Sequence, residues 1–230
     1  MRKGRERRRE GLFVAEGVRE VERALAAGLT ARAIYLAPEL LPDKSYAQQE
    51  EVSAKVLARM AYRAEPEGVL AVFAIPQRTL PEHSTLLLVA VGIEKPGNLG
   101  AMARTADAAG ADAILVADAQ SDPWNPNAIR ASTGAVFTLP IVDATHDELA
   151  RLPHLKVAAV LDAATRHTDP DYTQPTAFLV GAEDKGLDAT YVDLADTHVQ
   201  IPMKGTAADS LNASAAAAVL LFEAVRQRAS

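Results

Sequence analysis

Residues 86–91 read Leu-Leu-Leu-Val-Ala-Val, six apolar positions with no polar interruption. A strand with one wet face alternates apolar and polar side chains, so an unbroken run must be covered on both faces. That requirement points to a parallel sheet sandwiched between helices. Residues 113–117 repeat the pattern, and 157–161, 177–180 and 198–201 supply further short apolar segments. Helical stretches fall between them, one from about 100 to 109 stopped by Gly110, another closing the chain from about 210 to 228. Alternating strand and helix units predict an α/β fold with a mostly parallel sheet.

A smaller unit precedes this one. Val14, Val18, Val21 and Leu25 recur at helical spacing, predicting a helix over 14–26 with Gly28 as its stop. Residues 31–37 and 69–75 read as strands, and Val52, Val56, Leu57 and Met60 share one helical face over 51–61. The stretch 76–84 holds two prolines and few apolar residues, so it reads as a linker. The expected division is a front domain over 1–78 and a larger domain over 79–230.

Composition excludes several classes. Without cysteine there is no disulfide framework, thiolate zinc site or cysteine nucleophile, which suits a reducing cytoplasm. The five histidines lack metal-ligand spacing, so no metal is expected. No apolar run is long enough to span a bilayer, and no apolar segment follows the basic start, so neither a membrane span nor a secretory signal is expected. The tract at 213–222 is Ala-rich and reads as a buried helix. Aromatics are only 5%, so the core should be aliphatic. The net charge of −6 conceals a formal +4 over residues 1–10, from Arg2, Lys3, Arg5, Arg7, Arg8 and Arg9 against Glu6 and Glu10. Such an arm suits a phosphate backbone, and equally a solvated tail.

Ligands of parallel sheets bind in loops beyond the strands' carboxyl ends. Three such loops stand out. In Glu94-Lys95-Pro96-Gly97-Asn98-Leu99-Gly100, Asn98 can cap the following helix and Arg104 can reach a phosphate there, or serve in a surface salt bridge. Gly181-Ala182-Glu183-Asp184-Lys185-Gly186-Leu187 nearly matches a phosphate-binding loop, but Leu187 stands where lysine is needed and two carboxylates would repel a triphosphate. It suits a neutral or cationic ligand, or is an ordinary turn. Ile201-Pro202-Met203 leads through Ser210-Leu211-Asn212-Ala213-Ser214 into the last helix, with Asp209 or Ser210 as its expected cap. Those small polar residues suit a binding site or a close helix contact. The dinucleotide fingerprint and the nucleophile elbow are both absent. Ser132 does not fit the elbow, and His146-Asp147 reads as a solvated helix start.

In combination and order, Asn98-Leu99-Gly100 with Arg104, Gly181-x-Glu183-x-x-Gly186-Leu187, and Ile201-Pro202-Met203 with Ser210-Leu211-Asn212-x-Ser214 resemble the three motifs of the SpoU (TrmH) family of RNA 2′-O-ribose methyltransferases. The match covers about residues 85–230. Phe13-x-x-Glu16-Gly17 and Gly68-Val69-Leu70-Ala71-Val72 are similar to that family's L30e-like substrate-binding domain. The resemblance implies a C-terminal trefoil knot, a homodimer, and transfer of a methyl group from S-adenosylmethionine to a ribose 2′-hydroxyl of structured RNA. It further implies that Gly181, Glu183, Gly186, Ile201, Met203 and Leu211 hold the cofactor, and that Asn98, Arg104, Ser210 and Asn212 face RNA and the reacting ribose. The loop between Met203 and Ser210 is one residue longer than the family pattern.

For Arg104 the family suggests a base. A guanidinium with a pKa above about 12 suits phosphate grip and charge stabilisation better. The front domain favours ribosomal over transfer RNA by analogy. A transfer-RNA methyltransferase, an RNA-binding module without catalysis, and an unrelated nucleotide enzyme remain alternatives; S-adenosylmethionine titration and an ATP hydrolysis assay separate the last two.

Overall fold

The computed structural model describes residues 3–229. The larger unit is built on seven strands, all parallel, in the order β7-β6-β5-β10-β8-β11-β9. These are β5 (Leu86–Val91), β6 (Ala113–Ala117), β7 (Ile141–Asp143), β8 (Leu155–Ala159), β9 (Thr165–Arg166), β10 (Thr176–Val180) and β11 (Thr197–Gln200). All residues of β5, β6 and β10 are buried, as their uninterrupted apolar composition requires. The helices are α4 (Pro96–Ala108), α5 (Pro126–Ser132), α6 (His146–Ala150), α7 (Ala189–Asp193) and α8 (Ala213–Arg228). The front unit is a four-stranded mixed sheet, order β1-β4-β2-β3, from β1 (Leu12–Glu16), β2 (Ala31–Leu36), β3 (Gln49–Glu51) and β4 (Val69–Ala74). It carries α1 (Gly4–Glu10), α2 (Val18–Ala26) and α3 (Ala54–Met60).

Several expectations shift. Val14 belongs to β1, and the helix begins only at Val18. Gly17, at φ 98, turns the chain between them, so the helical spacing of Val14 is coincidental. The helix α4 starts at Pro96 rather than Gly100. Proline at the first helical position needs no N–H partner, and Asn98 falls within the first turn instead of capping it. The cap of α8 is Asn212, not Asp209 or Ser210: its Oδ1 accepts the Ser214 N–H at 3.0 Å. The basic start is no solvated tail. Residues 4–10 form α1, and Arg7 is buried in an ion pair with Asp122; Arg2 lies outside the described residues.

The two sheets share one continuous core. Four aromatics gather at their junction, where Phe13 stacks on Phe73, Trp124 and Phe137 at centroid distances of 5.4, 4.7 and 5.7 Å. The proline-bearing connection is pinned as well, since Arg78 donates to the carbonyls of Phe137 and Thr138. The front sheet is therefore held against the larger unit.

The far end of α8 carries an ion-pair network of its own. Glu223, only 9% exposed, accepts two guanidinium bonds from Arg226 at 2.8 and 2.7 Å and one from Gln227 at 2.9 Å. The bond from Arg226 is the main cause that holds the Glu223 carboxyl at about 2, against burial. A depressed carboxylate stabilises the fold fully above its unfolded value near 4.5, and the gain is lost as pH falls toward about 2. Arg226 is 64% exposed, so solvent screening keeps the effect small. Urea midpoints at neutral and acid pH should show that Glu223→Gln lacks this increment at neutral pH and flattens the acid decline. An unchanged acid slope would contradict the assignment.

Candidate active site

The strands are parallel, so the loops after β5, β6, β10 and β11 leave the same edge of the sheet. At that edge residues 181–187, 201–211 and 159–165 surround a cleft of about 1070 Å³. Gly181, Glu183, Gly186, Ile201, Met203 and Leu211, the six residues expected to hold a cofactor, all line it. Ser210 lines it too, whereas Asn98, Arg104 and Asn212 do not.

The loop after β10 folds back tightly. The Gly186 N–H donates to the Ala182 carbonyl at 2.8 Å, and Gly186 turns at φ 66. Gly181 lies directly beneath: a Cβ there would come within 2.1 Å of the Gly186 carbonyl oxygen and 2.5 Å of the Leu187 nitrogen. Glycine at 181 is a packing requirement, and it leaves bare backbone on the cleft wall.

Beside the cleft, Glu183 gathers the other two loops. Asn98 Nδ2 donates to its Oε1 at 2.8 Å, Asn212 Nδ2 donates to the same oxygen, and Asn212 Nδ2 also lies 3.3 Å from Asn98 Oδ1. Lys95 Nζ binds Glu183 Oε2 at 2.7 Å. This ammonium is the main cause that keeps the Glu183 carboxyl below its ordinary value; burial opposes it, and Asn98 and the Ala213 N–H reinforce it. Glu183 is thus an anion that only accepts, sitting at the amino end of α8 where the helix dipole favours it. One carboxylate fixes both amides, and the three separated motifs meet in space. Arg104 stands apart. It lies six residues beyond Asn98, about 9 Å along the helix axis. It is exposed and makes no hydrogen bond or ion pair with any described residue.

The cleft suits a cationic donor with an adenosyl body. Its volume matches a small-molecule site, Ile201 and Leu211 supply apolar wall, and Asp162, Glu183, Asp184 and Asp196 outnumber Lys185. Among the described residues no group of three or more His, Asp or Glu could hold a metal ion.

The family model for the SpoU rRNA Methylase family matches residues 85–222. This chain belongs to the SpoU rRNA methylase family. A second model, the MRM3-like substrate binding domain, matches residues 1–71. Among its SpoU relatives is a 23S rRNA (uridine(2479)-2′-O)-methyltransferase of Streptomyces viridochromogenes, 35% identical over 97% of this chain and 86% of that protein. Another is the 23S rRNA (guanosine(2553)-2′-O)-methyltransferase RlmP of Bacillus subtilis, 29% identical over 95% of this chain and 90% of that protein. The solved structure of the SpoU methyltransferase AviRb from Streptomyces viridochromogenes in complex with AdoMet superposes with a TM-score of 0.86, at 32% identity, covering 99% of this chain and 94% of that one.

Sequence reasoning missed parts of the candidate site. Lys95 had no role assigned, although the ammonium beside Glu183 sets that group's charge. The wall formed by residues 160–165 had no expected site role; the strand expected over 157–161 ends at Ala159, and Leu161, 67% exposed, lines the cleft instead. Its signal was the position itself, directly after the parallel strand β8. His198 also lines the cleft, but its Nε2 lies 2.9 Å from the Val192 carbonyl.

Proposed function

We propose that this chain transfers a methyl group from S-adenosylmethionine to a ribose 2′-hydroxyl of structured RNA, ribosomal RNA in preference to transfer RNA. One observation carries the reading: a cleft lined by all six expected cofactor residues adjoins the cluster of Asn98, Glu183 and Asn212. The ribosomal preference rests on relatives named for 23S rRNA that align over nearly the whole chain, front unit included.

When bound, the cofactor supplies a methyl activated on a sulfonium centre. The protein's part is placement. Gly181, Ile201 and Leu211 seat the adenosyl portion, with Gly186, Met203 and Glu183 around it. Glu183 holds the Asn98 and Asn212 amides rigid, so that the ribose enters a preformed polar corner with the Ser210 hydroxyl beside it. Arg104, bonded to no described residue, grips a backbone phosphate and stabilises charge developing on the 2′-oxygen. Holding oxygen and methyl in line is worth on the order of 7 kcal/mol in favourable cases.

Residues 1–78 serve as the substrate-binding domain and 79–230 as the catalytic domain. The C-terminus passes through the loop over 160–175 to form a knot; in support, Arg228 donates to the carbonyls of Tyr172, Gln174 and Thr85, and Gln227 to that of Pro170. The enzyme works as a homodimer. Supporting this, α8 presents Ala215, Ala218, Val219 and a 48% exposed Phe222 at helical spacing. Its place is the cytoplasm, where ribosomal RNA is available.

Labelled methyl transfer onto purified ribosomal and transfer RNA tests the reading. Incorporation into ribosomal RNA, at a linkage resistant to alkali, is expected. Transfer onto transfer RNA alone would overturn the substrate, and no transfer to any RNA would overturn the activity.

A further inference from the structure

We propose that α1 is a fixed cationic rail that receives the RNA phosphate backbone beside the active edge, an inference that rests on the proposed RNA methylation. Arg7 points inward, 2% exposed, with its Nε 2.8 Å and one terminal nitrogen 2.7 Å from Asp122 Oδ2. Gly4 lets the helix approach closely, since a Cβ there would lie 3.2 Å from the same oxygen. A helix of seven residues is too short to persist alone in water. Its anchor to Asp122 is what sets its position, because a buried guanidinium separated from its carboxylate is strongly disfavoured.

The anchor determines what the other face meets. Asp122 lies in the loop between β6 and α5, which leaves the sheet at the same edge as the start of α4 bearing Asn98 and the loop bearing Gly181. In sheet order β6 is two strands from β10, about 10 Å. Arg5 and Arg9 project about 160° from Arg7 on either side of the opposite face of the helix, and Arg8 about 100° from it. All three are exposed, as is Lys3. Arg9 pairs only with its exposed neighbour Glu10, and Arg5 and Arg8 make no hydrogen bond or ion pair with any described residue. Residues 1–10 carry +4 while the remaining 220 carry −10. Exposed guanidinium groups on an anchored helix of an acidic protein are complementary to a polyanion. Arginine's planar fork matches phosphate oxygens.

The test uses the full chain, wild type and the triple variant Arg5→Ala/Arg8→Ala/Arg9→Ala, with a fluorescent RNA hairpin titrated from about 50 to about 200 mM salt. The triple variant should bind at least tenfold more weakly at the lower salt. Its log–log salt slope should fall by about 2, near 0.7–0.9 per lost phosphate contact. S-adenosylmethionine affinity and thermal midpoint should stay unchanged, and the triple lysine variant should recover most of the slope. Equal slopes in wild type and the alanine variant would overturn the rail. Wild type that binds neither hairpin nor S-adenosylmethionine would instead overturn the proposed function. Loss of binding to anionic lipid vesicles, with RNA binding intact, would reassign the surface and equally refute the rail.

Discussion

Arg104→Ala should lower methyl transfer by about 10²–10³-fold, the range seen when one preorganised charge-stabilising donor is removed. The fold should not register the change. Arg104 is exposed, and no described residue bonds its guanidinium, so the substitution falls in the class worth within about 0.5 kcal/mol of stability. S-adenosylmethionine affinity should also hold, because Arg104 does not line the cleft. Arg104→Lys separates the roles. Lysine retains the charge but loses the fork, so phosphate grip predicts partial activity, and the activity should not rise with pH through the lysine titration. If Arg104→Ala kept full turnover with normal RNA binding, both the grip and the base would be wrong.

Gly181→Ala should abolish measurable S-adenosylmethionine binding, a loss of more than about 100-fold, and lower the thermal midpoint by several degrees. The new methyl would sit 2.1, 2.2 and 2.5 Å from the Gly186 oxygen, Gly186 carbon and Leu187 nitrogen. All three are backbone atoms, so no side chain can rotate away. The turn must move bodily, at a cost of about 1–3 kcal/mol or more, and it carries Glu183 with it. Gly97→Ala is the control. It meets open space at an ordinary φ and does not line the cleft. Calorimetric titration should find Gly97→Ala still binding the cofactor when Gly181→Ala does not. Equal affinities would contradict the packing argument.

The interior of the sheet was readable because burial on both faces leaves a local signature. The apolar runs at 86–91 and 113–117 coincide with β5 and β6. Short edge elements left none: β3, β7 and β9 hold three, three and two residues, and their pairing is set by neighbours distant in sequence. Val14 misled because a strand and a helix abut at Gly17, where periodicity cannot see the turn. The ends of α4 and α8 moved because two strong signals compete there, with Pro96 starting one helix earlier and Asn212 capping the other later than neighbouring residues suggest.

The site was legible as a set of residue types in three loops but not as a shape. Their meeting depends on β10 inserting between β5 and β8, a sheet order that no local pattern encodes. The same holds for Arg7 and Asp122. A basic stretch at the start of a chain reads alike whether it is solvated or anchored by a carboxylate 115 residues away.

A crystal structure of this chain grown with S-adenosylmethionine tests the whole account most directly. The ligand should lie between residues 181–187 and 201–211, its adenosyl group against Ile201 and Leu211 and its methyl directed toward the corner formed by Asn98, Ser210 and Asn212. Density elsewhere, or a methyl pointing away from that corner, would contradict it.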